Sequence, residues 1–108
     1  MDELERALAS SDERPLLLFK HSFTCGISAE ALDELLAHLN SREVNASYAM
    51  VMVQTHREVS NEVARKLGVR HETPQALLIR EGRVVWSASH FRVTAKAVDA
   101  ALDLATMA

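Results

Sequence analysis

One cysteine, two prolines and three glycines are all that 108 residues hold of the types that staple, bend or loosen a chain. A single thiol excludes an intramolecular disulfide, so the fold must rest on a packed core. A lone cysteine suits a reducing compartment, and the expected location is the cytoplasm. Aromatic residues make up only 5% of the chain, and no basic run stands out. Neither nucleic acid nor an anionic membrane surface is therefore expected as a partner. No apolar stretch approaches the roughly 20 residues that cross a bilayer. The opening segment, Met1-Asp2-Glu3-Leu4-Glu5-Arg6, is acidic and amphipathic, unlike a signal or transit peptide. The five histidines show no H-x-x-H spacing and the chain has no C-x-x-C, so no metal site is expected.

What is present is ordinary for a folded domain: 48% hydrophobic residues, 25% charged, and a net charge of −3. The length suits one domain over residues 1–108. Residues 2–9 read as a short helix, and Pro15 introduces the apolar strand Leu16-Leu17-Leu18-Phe19. Ile27, Ala31, Leu32, Leu35, Leu36 and Leu39 form the inward stripe expected of a second helix, ending at Asn40-Ser41. Residues 47–53, apolar on both faces, read as a central strand with Met50 and Met52 in the core. Thr55 and Glu58 make a T-x-x-E capping box for a third helix, with Glu62 and Lys66 as an i,i+4 pair and Gly68 past its end. Thr73-Pro74 precedes a strand from Gln75 to Arg80, Glu81-Gly82 turns the chain, and Val84 to Ala88 closes a hairpin. Thr94 caps a last helix running to about Met107, and Trp86 is expected to pack on a helix.

The order αβαβαββα constrains the topology. A helical crossover between residues 16–19 and 47–53 makes those strands parallel neighbours, and the Gly82 turn makes the last two antiparallel. The result is an α/β, thioredoxin-like fold: a mixed four-stranded sheet with helices on both faces.

Cys25 falls between a strand end and a helix start, off any apolar stripe and beside the small or polar Thr24 and Gly26. A lone cysteine ordinarily packs as a small core residue. At a helix N-terminus, however, unpaired amides and the positive end of the macrodipole favour the thiolate, the nucleophile of disulfide exchange. Lys20 and His21 add positive charge if the loop folds back, and Gly26 leaves room for a disulfide to approach. His21 and His71 are both candidates to reach the Cys25 region, while His38 and His56 read as solvated helix-end residues.

Lys20-His21-Ser22-Phe23-Thr24-Cys25-Gly26-Ile27-Ser28, followed by Gly68-Val69-Arg70-His71-Glu72-Thr73-Pro74-Gln75, resembles the monothiol bacilliredoxins, the YtxJ-like family. The resemblance implies a thiol–disulfide oxidoreductase in redox homeostasis, one that removes bacillithiol from S-bacillithiolated proteins. It implies Cys25 as the active thiol and Thr73-Pro74 as the cis-proline segment that receives a bound thiol chain. Lys20, His21, Thr24, Gly26, Thr73 and Pro74 are thus the expected thiol-binding and thiolate-stabilising residues. Expected partners are S-thiolated client proteins and a low-molecular-weight thiol; bacillithiol is the co-substrate, with no bound cofactor. The family often has proline where this chain has Gly26, which bears on thiol acidity and on the substrate.

Two other readings stand beside this one. Cys25-Gly26-Ile27-Ser28 also resembles the C-G-F-S signature of monothiol glutaredoxins, which carry an iron–sulfur cluster. Those proteins hold glutathione at a glycine-rich turn, and the matching stretch here, Ser87-Ala88-Ser89-His90-Phe91-Arg92, has no glycine. The third reading is a binding domain in which Cys25 is inert.

Overall fold

A computed structural model describes residues 2–22, 26–41 and 45–106. The elements are α1 (Glu3–Ser10), β1 (Leu16–His21), α2 (Gly26–Ser41), β2 (Ser47–Met52), α3 (Arg57–Leu67), β3 (Gln75–Arg80), β4 (Arg83–Ser89), a 3-10 turn (His90–Arg92) and α4 (Ala95–Thr106). The strands form one sheet in the order β2-β1-β3-β4. β1 runs parallel to β2 and antiparallel to β3, and β3 and β4 form an antiparallel hairpin.

The two central strands are apolar on both faces because each face is covered. Leu17, Phe19, Ala76 and Leu78 point toward α2 and α4, where Ala31, Leu35, Val98, Ala101 and Leu102 meet them. Leu16, Leu18, Leu77 and Ile79 pack on the other face, with Val63 of α3 and, at its margin, Leu4 and Leu8 of α1. Trp86 packs beside the first of these cores. Glu81 and Gly82, with φ of 54° and 74°, supply the positive dihedrals of a tight hairpin turn. Ser11, fully buried after α1, clasps that turn. Its carbonyl accepts from Glu81 N–H and Arg80 Nη1, both at 2.8 Å, and its hydroxyl accepts from Gly82 N–H at 2.9 Å.

Several expectations are corrected. β2 is an edge strand, not a central one, because β1 already has β3 on its other side. Met50 is consequently 52% exposed rather than core. Leu36 and Leu39 are also exposed: the buried stripe of α2 runs through Ser28, Ala31, Leu35 and His38. The Thr55/Glu58 capping box does not form. The helix begins later, at Arg57 with His56 as N-cap, and Thr55 Oγ1 instead lies 2.9 Å from His56 Nδ1. Glu62 pairs bidentately with Arg65, at 2.7 and 2.8 Å, rather than with Lys66. Gly68 ends α3 in the left-handed region, φ 65°, as its position predicts. Thr94 Oγ1 caps α4 by accepting from Ala97 N–H at 3.1 Å.

Candidate functional site

The carboxyl end of β1, the first turn of α2, the start of β3 and the end of β4 converge at one edge of the molecule. β1 extends to His21, two residues beyond the expected strand. Phe23, Thr24 and Cys25 follow and lie outside the described residues, so the expectations for Thr24 and Cys25 rest on their flanks. Those flanks are fixed. Ser22 N–H donates to Ser28 Oγ at 2.9 Å, and Ser28 Oγ lies 2.8 Å from Nδ1 of the buried His21. Gln54 Nε2 donates to Ser22 Oγ at 2.5 Å. The first residue after β1 is thereby tied to the first turn of α2.

Gly26 opens α2, and a Cβ built there meets nothing within 4 Å. Cys25 therefore directly precedes a sixteen-residue helix, at the end where amide donors and the macrodipole favour an anion.

Lys20 and His21 are strand residues and do not sit on a loop that folds back. Alternation sends them to opposite faces. His21 packs near Phe19, their ring centroids 5.6 Å apart. Lys20 turns to the α3 face, is 0% exposed, and places Nζ 3.1 Å from His71 Nδ1. Burial holds its ammonium pKa below the ordinary lysine value. Ser60 Oγ lies 3.3 Å from the same His71 nitrogen, and Thr73 Oγ1 lies 3.4 Å from His71 Nε2. His71 is held below the ordinary imidazole value, first by desolvation and then by the charges of Lys20 and Arg57, with Glu72 opposing.

The Thr73–Pro74 peptide is cis, Pro74 is fully buried, and its carbonyl accepts from His90 N–H at 3.0 Å. Gln75 follows, cross-strand from Lys20. Its Nε2 donates to Arg70 O at 2.9 Å, while its Oε1 is buried without a hydrogen-bond partner among the described residues. Beside α2 runs a groove of about 440 Å³, floored by Ile27, Ala31 and Val93, rimmed by Glu30 and bounded by the 70% exposed Phe91.

The structure thus brings Lys20 and Thr73 into one polar chain through His71, and joins His21 to Ser28. The sequence alone did not reveal His71 as the link, nor Ser60, Ser28 or Gln75; the usable signal was that His71 and Gln75 fall inside the second motif. His38 is not a solvated helix-end residue. It is fully buried, with Nδ1 donating to Asp99 and Nε2 2.9 Å from Tyr48 Oη. His56 is exposed, as expected. No group of three metal-ligating side chains occurs among the described residues. No helix among them is long and apolar enough to cross a membrane.

Comparison with known proteins gives the chain a family and a fold. The family model described as Monothiol bacilliredoxin BrxC matches residues 1–98. A solved structure described as a candidate oxidoreductase with a thioredoxin fold superposes with a TM-score of 0.80 at 29% identity, covering 94% of this chain and 89% of that one. A thioredoxin from Fasciola hepatica gives a TM-score of 0.74 at 16% identity, covering 94% and 90% of the two chains. A thioredoxin variant from Halobacterium salinarum NRC-1 gives 0.73 at 17% identity, covering 98% and 87%. The last two likenesses concern the fold alone.

Proposed function

We propose, from the premise that the chain belongs to the monothiol bacilliredoxin family, that it reduces mixed disulfides between proteins and bacillithiol. The observation that carries this reading is the start of α2, which immediately follows the only thiol and faces the cis Thr73–Pro74 segment's end of the sheet. A family thioredoxin fold with one cysteine has no resolving thiol of its own, so the second sulfur comes from a small molecule.

The steps balance with two displacements. Cys25 thiolate attacks the bacillithiol sulfur of the mixed disulfide. The S–S bond to the client breaks, and the client leaves as a thiolate that takes a proton from water. A free bacillithiol thiolate then attacks the bacillithiol sulfur held on Cys25. This forms the bacillithiol disulfide and releases Cys25 as thiolate. No net electrons are gained or lost by the enzyme over the cycle. The helix start stabilises the thiolate at both ends of the cycle, and the groove at Ile27, Ala31 and Phe91 receives the apolar part of the client chain. Catalysis takes place in the cytoplasm.

The test is intact mass spectrometry of the protein incubated with oxidised bacillithiol, glutathione and coenzyme A in competition. A dominant bacillithiol adduct that is absent from Cys25→Ser is expected. Preference for glutathione would move the reading toward the glutaredoxin-like class. A Cys25→Ser protein that still released bacillithiol from a client at the wild-type rate would end the proposal.

A further inference from the structure

Lys20 and His71 take no part in the two displacements, yet they meet beside the segment that receives the thiol chain. An ammonium group has donors and no lone pair, so its 3.1 Å contact makes His71 Nδ1 an acceptor. Ser60 Oγ, 3.3 Å from that nitrogen, is able to donate to it as well. The single proton of the neutral imidazole therefore sits on Nε2, and Thr73 Oγ1 is the acceptor 3.4 Å in front of it. A continuous polar chain thus runs from the interior of β1, through the ring, to the residue before Pro74. It joins positions 51 residues apart in sequence.

We infer that Lys20 and His71 are positioning residues for disulfide exchange: the buried ammonium locks His71 as the Nε2–H tautomer, and the ring orients Thr73 and the segment on which the disulfide-bearing chain is laid. The inference rests on the exchange function proposed above. It also explains why a lysine sits in a strand interior, where an unpaired ammonium is costly. Its head group has a neutral acceptor and no carboxylate in the hydrogen bond it makes to His71.

The chain is gated by charge. The charged groups facing His71 are Lys20 from β1, Arg57 from α3 and Glu72 from its own segment. Two of the three oppose a proton on the ring. An imidazolium has no lone pair for Lys20 and sets two cations 3.1 Å apart, so protonation breaks the chain. Partial desolvation and the facing cations lower the pH at which this exposed ring takes up a proton.

The test measures Cys25 adduct formation with bis(2-hydroxyethyl) disulfide by intact mass from pH 5 to 8, alongside ¹⁵N spectra of the imidazole. The wild type is expected to show the Nε2–H tautomer and a KM that rises on the acid side. Lys20→Met and His71→Ala each raise KM at pH 7.5 about fivefold with little change in kcat, the weight of one net hydrogen bond. His71→Asn keeps an acceptor at the Nδ1 position but has no donor at the Nε2 position and does not titrate, so it keeps the raised KM and abolishes the acid-side rise. Thermal melts of all three variants separate misfolding from loss of positioning, and His71→Asn decides the matter if Lys20→Met does not fold. Unchanged KM in both Lys20→Met and His71→Ala overturns the inference. So does an acid-side rise that survives in His71→Asn, or an Nδ1–H tautomer in the wild type. A wild-type protein that forms no Cys25 adduct overturns the exchange reading instead, while the imidazole spectra still score the pairing.

Discussion

His38 and His71 each bridge separate elements of this fold, but one faces an anion and the other a cation. His38 lies wholly inside, its two nitrogens taken by Asp99 of α4 and Tyr48 of β2. It is a clamp between α2, α4 and the edge strand. His71 is exposed, with a buried lysine behind it and Thr73 in front. The same side chain thus does two kinds of work, and the sign of its partner decides which. A carboxylate and a phenol make a fixed joint. A buried ammonium makes a joint that holds only while the ring is neutral.

The sharpest way to break this contrast is to remove the clamp. His38→Ala deletes a fully buried side chain with both of its hydrogen bonds, and a loss of about 3 kcal/mol is expected in urea unfolding. A loss under about 1 kcal/mol would show that His38 is no joint at all. Next in size is Ser28→Ala, which removes the acceptor of Ser22 N–H and the contact to His21. It should cost about 1–2 kcal/mol and slow Cys25 adduct formation. An unchanged rate would separate the tie from the reactivity of the loop.

Lys20→Met should act in the opposite direction on stability. A lysine whose folded pKa is lowered contributes stability only above its ordinary value, and that contribution is lost as pH falls through the folded value. Burial therefore makes the charged form of Lys20 a cost to the folded state. Exchanging the ammonium for a thioether of similar length should therefore stabilise the protein by about 1 kcal/mol while weakening exchange. A melting temperature that fell would contradict this.

The smallest effect is the pH slope owed to His71. Its folded pKa is lowered, so the stability it contributes is present above the ordinary imidazole value of 6.5 and is lost as pH falls through the folded value. Chemical denaturation at pH 7.5, 6.5 and 5.5 should show a shallow decline that is flattened in His71→Asn and lessened in Lys20→Met. A slope identical in all three proteins would assign it to other groups.

Much of the architecture was legible in the residues because its signals are local. Leu16 to Phe19 read as a buried strand and Gln75 to Arg80 as a strand, the Glu81-Gly82 turn fixes a hairpin, and Gly68 marks a helix end. What escaped depends on placement in space. Nothing within Ser47–Met52 says that one side of the strand has no neighbour, so Met50 read as core. His38 read as solvated because its partners lie 10 and 61 residues away. Lys20 read as a loop cation because the strand ends two residues later than its apolar run suggests. At the site, the helix start after Cys25 and the Thr73–Pro74 pair were visible in sequence. The polar chain joining Lys20 to Thr73 was not, since it depends on β1 and β3 lying side by side.

The Ser11 clasp carries a consequence for the order in which the molecule assembles. It joins residues 69 and 71 positions apart, and closing a loop that long from an open chain costs about 4 kcal/mol of entropy. Once β1 and β3 have paired, with Leu16 opposite Ile79, the remaining loop is only a few residues on each side and the cost largely vanishes. The clasp is thus a late contact in folding and an early one to open. Amide exchange at Glu81 and Gly82 would report the undocking of α1 before the sheet itself gives way.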